Sequence, residues 1–177
     1  MQVNSGKNKG THLFSSTDEA VRPTTDKVKQ AIFNIISFMV TDGNVLDLFA
    51  GSGALGIEAL SRGFQYCDFS DIEPVWVNKN IEKCRLKDKC SIHKGDFEAF
   101  LSKADRQYAL VFLDPPYHKG YVEKSLSVLC ERNLLTDGAV IVIETDSDEA
   151  YKIPDGIEIV KEKCYGRIKI CIGVYRL

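Results

Sequence analysis

The chain lacks any apolar run approaching the ~20 residues that a membrane-spanning helix needs, so no membrane association is expected. It also lacks an excess of positive charge. Its 23 Lys and Arg stand against 25 Asp and Glu, a formal net charge of −2. A nucleic-acid coat that ignores sequence would normally be basic, so that class is disfavoured; an enzyme with a local basic face is not. The six cysteines form no C-x-x-C pair, and no Cys/His cluster has zinc-ligand spacing, so no metal is expected. Cys67 and Cys171 lie inside apolar segments and read as buried free thiols of a reducing compartment. There is no internal repeat, no low-complexity tract and no break in composition. The 177 residues therefore read as a single domain, 1–177, large enough for a real core. Met1 to Gly10 is polar with no apolar centre, which predicts the cytoplasm rather than export.

What is there is an alternation. After a polar start, short stretches around Val3 and Leu13-Phe14 suggest a small hairpin. Thr24 or Thr25 can cap a helix whose apolar stripe runs Val28, Ala31, Ile32, Ile35, Ile36 and Met39, closed by Asp42-Gly43. Residues 1–40 thus form an N-terminal extension, and 44–177 the core. Strands are expected at Val45–Phe49, Tyr66–Ser70, Ser91–Lys94, Ala109–Leu113 and Ala139–Glu144. Helices are expected at Ala54–Arg62, Pro74–Lys83, Phe97–Ser102 and Tyr121–Cys130. Apolar strands separated by helices imply an α/β fold with a parallel sheet. The last segments, Ile157–Tyr165 and Arg167–Tyr175 around Gly166, alternate in polarity and read as an antiparallel hairpin. The result is a Rossmann-like sheet of seven strands, mostly parallel. No spare apolar face stands out, which predicts a monomer.

Gly51-Ser52-Gly53-Ala54-Leu55-Gly56 follows the first strand and opens a helix. Such a turn lets the backbone approach a nucleotide-like ligand without a Cβ clash. Three carboxylates favour S-adenosylmethionine (SAM) over a nicotinamide dinucleotide. Asp47, inside the first strand, can hold the turn or the cofactor's amino group. Asp71, beside Ile72 at the end of the second strand, can accept from both ribose hydroxyls, though nicotinamide enzymes carry such a carboxylate too, so by itself it does not discriminate. Asp96, beside Phe97 after the third strand, can accept from the adenine amino group, or else cap the next helix. Phe49, Ala50 and Ser52 complete the predicted cradle.

Asp114-Pro115-Pro116-Tyr117 ends the fourth strand. Methyl transfer to an aryl amine needs little acid–base work. It needs an acceptor that holds the NH₂ and a rigid, in-line approach. The Asp114 carboxylate and the Pro115 carbonyl can both accept, the two prolines stiffen the loop, and Tyr117 can stack on a splayed base. The proton can leave late, to water or to Asp114. Lys7, Lys9, Arg22, Lys27 and Lys29 make the N-terminal region the expected place for phosphate contacts. His118 reads as an exposed loop histidine, and Trp76 as core or helix surface.

Ser5-Gly6-Lys7 with Lys9-Gly10, Arg22-Pro23-Thr24-Thr25-Asp26-Lys27-Val28-Lys29, the Val45–Gly63 run and Leu113–Tyr117 together resemble the bacterial small-subunit rRNA guanine-N2 methyltransferase family, the RsmD type. The Arg-Pro-Thr block is the discriminating stretch. The resemblance implies N2-methylation of one guanine in small-subunit rRNA within a partly assembled subunit, with S-adenosylhomocysteine as product. It also implies that the N-terminal block closes over the cofactor, with Arg22 and Thr24 near SAM, and Arg22 and Thr25 near the substrate. The second strand ends in Asp71 where the family usually has Glu. Other readings are an adenine-N6 methyltransferase acting on DNA or RNA, for which the chain has no room for a target-recognition insertion, and a SAM- or RNA-binding module without turnover. A nicotinamide oxidoreductase would need a hydride-transfer residue that the chain does not offer.

Overall fold

The computed structural model describes residues 1–16 and 25–177. Five strands, β1 (Asn44–Asp47), β2 (Tyr66–Asp71), β3 (Cys90–Lys94), β4 (Tyr108–Leu113) and β5 (Leu135–Asp146), run parallel. β6 (Ile157–Tyr165) and β7 (Ile168–Tyr175) form the antiparallel hairpin, and β7 adds to β5 antiparallel. The order β3-β2-β1-β4-β5-β7-β6 is the expected sheet of seven strands.

The helices are α1 (Thr25–Ile36), α2 (Ala54–Ser61), α3 (Val75–Cys84), α4 (Phe97–Lys103) and α5 (Tyr121–Glu131). One apolar core joins α1, α2 and α3 to one face of the sheet through Ile32, Phe33, Ile57 and Ile81. A second joins α4 and α5 to the other through Leu101, Leu126 and Leu129. Strands buried on both faces need an apolar residue at nearly every position, which is why β4 reads Tyr-Ala-Leu-Val-Phe-Leu. The chain order reverses between β2-β1 and β4, so the strand ends open a crevice beside β1.

Beyond shifts of one or two residues at element ends, three elements depart from expectation. α1 stops at Ile36, three residues before Met39, because Met39 N–H turns back to the Ile36 carbonyl at 2.8 Å; Phe38 is left 93 % exposed. β5 begins at Leu135 rather than Ala139, and its register against β4 shifts between Tyr108 and Leu110 to take in Gly138. The N-terminal hairpin is one bridge, Gln2 to His12, with Val3 and Leu13 buried in the first core. The proposed Thr24 cap lies outside the described residues.

All six cysteines are free. Among the described residues no helix is long and apolar enough to cross a membrane.

Candidate active site

The strand ends surround a cavity of about 470 Å³, within the usual size range of ligand pockets. β1 delivers Asp47, Leu48, Phe49, Ala50, Gly51 and Ser52; β2 delivers Asp71 and Ile72; β3 is followed by Gly95, Asp96 and Phe97. β4 delivers Asp114, Pro115, Pro116 and Tyr117 to the same space. The two motifs, far apart in the chain, therefore face one another.

Asp47 is buried, and its Oδ2 accepts from Gly56 N–H at 3.0 Å. Burial pushes its carboxyl up to about 7; the Gly56 N–H opposes this, and the negative charge of Asp71 adds to it. Asp71 Oδ2 accepts from Gly51 N–H at 2.8 Å, and its Oδ1 from Glu73 N–H at 2.9 Å. The glycine turn is thus braced from both ends by the carboxylates expected at the ligand. Asp96 caps α4, accepting from Glu98 N–H at 2.8 Å and Ala99 N–H at 3.3 Å, and still borders the cavity. One wall is aromatic: Phe97 lies 5.1 Å from Phe49 and 4.9 Å from Tyr121, centroid to centroid.

Two predicted cradle residues do other work. Gly53 and Gly56 do not line the cavity. A Cβ on Gly56 would come within 2.3 Å of Phe69 Cε1 and 2.8 Å of Cys67 Sγ, so this glycine lets α2 lie close on β2. Gly53 turns the chain into α2 with φ 76°, against Val77. Lys29 is a further correction: it is buried, with Nζ 3.1 Å from Glu58 Oε2 and a hydrogen bond donated to the Gln2 carbonyl. Glu58 also holds Arg62 Nε at 2.8 Å and accepts from Asn4 N–H at 2.8 Å. This network ties the N-terminal segment to α1 and α2 instead of offering Lys29 to phosphate.

Lys7 and Lys9 are exposed and outside the cavity. Lys7 N–H bonds the Ser61 carbonyl, at the end of α2 away from the glycine turn. Arg22 and Thr24 lie outside the described residues, as does the Thr25 side chain. His118 sits beside Asp146 and Asp148, 3.7 and 3.5 Å away, and does not line the cavity.

Several lining residues escaped the sequence reading: Met1, Val28 and Ile32 from the N-terminal region, Tyr121 from α5, and Glu144 and Ile168 from β5 and β7. Glu144 had a signal. It follows an apolar run, as Asp114 does.

The cavity suits SAM on chemical grounds. That cofactor presents an amino cation, a ribose diol and an adenine amino group, all hydrogen-bond donors, and the cavity border carries Asp47, Asp71 and Asp96. Each carboxylate keeps acceptor capacity beyond its backbone N–H partners. Asp47 would serve the amino group, Asp71 the ribose and Asp96 the adenine.

The family model described as Conserved hypothetical protein 95 matches residues 1–174. Ribosomal RNA small subunit methyltransferase D of Haemophilus influenzae is 35 % identical over 173 residues, covering 94 % of this chain and 89 % of that one. The solved structure of the "Putative methyltransferase yhhF" from Escherichia coli superposes with a TM-score of 0.88 at 26 % identity, over 99 % of this chain and 98 % of that one. An RNA methyltransferase from Salinibacter ruber, solved with S-adenosyl-L-homocysteine, shares the fold at 19 % identity and a TM-score of 0.61, over 87 % of this chain and 94 % of that one. The chain belongs to the Conserved hypothetical protein 95 family, the RsmD type of SAM-dependent methyltransferases.

Proposed function

We propose that the protein transfers the SAM methyl group to the exocyclic N2 of a guanine in small-subunit rRNA, releasing S-adenosylhomocysteine. The observation that carries this reading is a second carboxylate. Leu113 of β4 is level with Ile143 of β5, so Asp114, just past the end of β4, and Glu144, within β5, come side by side, and both border the cavity. Adjacent strands are ~4.8 Å apart. Guanine carries two adjacent donors on its Watson–Crick edge, the N2 amino group and N1–H, and two acceptors side by side suit them. Adenine carries its amino group beside an acceptor nitrogen, which a second carboxylate would repel.

In this reading Asp114 Oδ and the Pro115 carbonyl hold the amino group, Glu144 takes N1–H, and Tyr117 stacks on the base. The cofactor supplies an electrophilic methyl group. The proteins' own residues align the amine with it, and the proton leaves late to water or to Asp114. Arg22, Thr24 and Thr25 close over the cofactor and substrate. The names of the relatives point to small-subunit rRNA, and a monomer acting on partly assembled subunits in the cytoplasm fits that substrate.

The test offers labelled SAM with unmethylated small subunits, naked small-subunit rRNA, large-subunit rRNA and duplex DNA, then digests the products to nucleosides. N2-methylguanosine from small subunits is expected, and Glu144→Gln should lower kcat/KM about 10- to 100-fold. N6-methyladenine as the product would replace guanine by adenine in this assignment. Tight SAM binding with no transfer to any of the four would leave a binding module.

A further inference from the structure

We propose that the outer face of α3, continued by the Ser5–Gly10 loop, is a track that holds single-stranded RNA on its way to the cavity. The proposal rests on the RNA substrate proposed above and adds where that RNA lies.

α3 buries Val77, Asn80, Ile81 and Cys84. The opposite face carries Val75, Lys79 and Lys83 four residues apart, and so in a row, with Trp76 beside them. Lys79 Nζ stands 4.7 Å from the centre of the Trp76 ring, and Lys83 Nζ 4.4 Å from that of Phe14. Phe14 is 46 % exposed and Val75 47 %. The backbone that carries Phe14 is anchored to α3. Phe14 exchanges two backbone hydrogen bonds with the Asn80 side chain, at 2.7 and 2.8 Å, and the same side-chain amide donates to the Ser52 carbonyl of the glycine turn.

The track has an entrance and an exit. At the start of α3, Ile72 is 66 % exposed and borders the cavity. At its end, Asn8 Nδ2 donates to the Cys84 carbonyl at 2.9 Å, which sets the exposed Lys7 and Lys9 beside the last turn.

Charge singles out the same place. The whole chain has a net charge of −2. Between Glu73 and Lys94 the cations Lys79, Lys83, Arg85, Lys87, Lys89 and Lys94 face only Glu73, Glu82 and Asp88 as acids. Lys87 and Lys94 pair with Glu82 and Glu73. Among the described residues Lys79 and Lys83 form no ion pair and meet aromatic rings instead. Ammonium groups beside aromatic faces, along an exposed row, match the alternation of phosphate and base in a single strand.

The test compares the intact wild-type chain with Lys79→Glu/Lys83→Glu and with Trp76→Ala. It measures affinity for unmethylated small subunits across salt concentrations, KM and kcat with those subunits, and SAM affinity. The double variant should flatten the slope of log K against log salt by about 1.4, and Trp76→Ala should weaken RNA binding about tenfold. SAM affinity should stay at the wild-type value. Lys79→Gln/Lys83→Gln, which only removes charge, should flatten the slope equally, so a folding defect of the reversal cannot imitate the result. If the wild type methylates the RNA and all variants keep its salt slope and KM, the track is wrong and the function stands. If the wild type neither binds small subunits nor methylates their RNA, the proposed function falls and the track with it.

Discussion

Asp47 and Asp114 are both strand-end carboxylates of one cavity, with different demands on them. Asp47 is held near neutrality by burial, at about 7 against an ordinary 3.8. A carboxyl raised in the folded state disfavours its charge there. Its contribution to stability therefore falls as pH rises from about 4, and the loss is complete above about 7. An amino cation placed beside Asp47 reverses that preference and drives ionisation. SAM affinity should accordingly rise as pH climbs towards 7 and then level off, and Asp47→Asn should flatten the profile; calorimetric titration at several pH values reads it directly. A profile equally steep in Asp47→Asn would assign the proton to another group. In the proposed reaction Asp114 holds the amino group of the base and takes no part in holding the cofactor. Asp114→Ala should keep SAM affinity within about twofold while kcat falls by about 10²-fold, the usual scale for a lost orienting contact. Equal loss of both, measured by titration and single-turnover transfer, would place Asp114 in the cofactor site instead.

At the scale of elements, α2 shows what the glycines do. Its first turn supplies the N–H that Asp47 accepts, and that N–H belongs to Gly56, pressed on Phe69 and Cys67. A methyl group there must push α2 off the sheet. Gly56→Ala should cost about 1–3 kcal/mol in denaturant unfolding and should weaken SAM binding as well, because the bond to Asp47 moves with the helix. Wild-type stability in that variant would mean the close approach is dispensable. The turn, its position between strand and helix, and the carboxylates around it were legible in the residues, because local backbone needs select glycine at a tight turn. Which glycine meets ligand and which meets β2 was not, since the distinction depends on Phe69 and Cys67, brought under α2 by sheet pairing. The end of α1 was misread for a related reason. Met39 continues the apolar spacing, but the chain tightens after Ile36 and turns away.

For the whole molecule, the cavity draws on almost every part of the chain, from Met1 to Ile168. The sequence by itself determined the alternation of strands and helices, the antiparallel end of the sheet, the glycine turn and Asp114–Tyr117, because each is written in local spacing and turn chemistry. Tertiary structure alone decided the rest. It buried Lys29 against Glu58, brought Glu144 level with Asp114, and set Lys7 and Lys9 beside α3. The physical reason is common to all three. A charge's partner, or its exposure, is a property of the neighbours that packing supplies, and those neighbours lie tens of residues away in the chain.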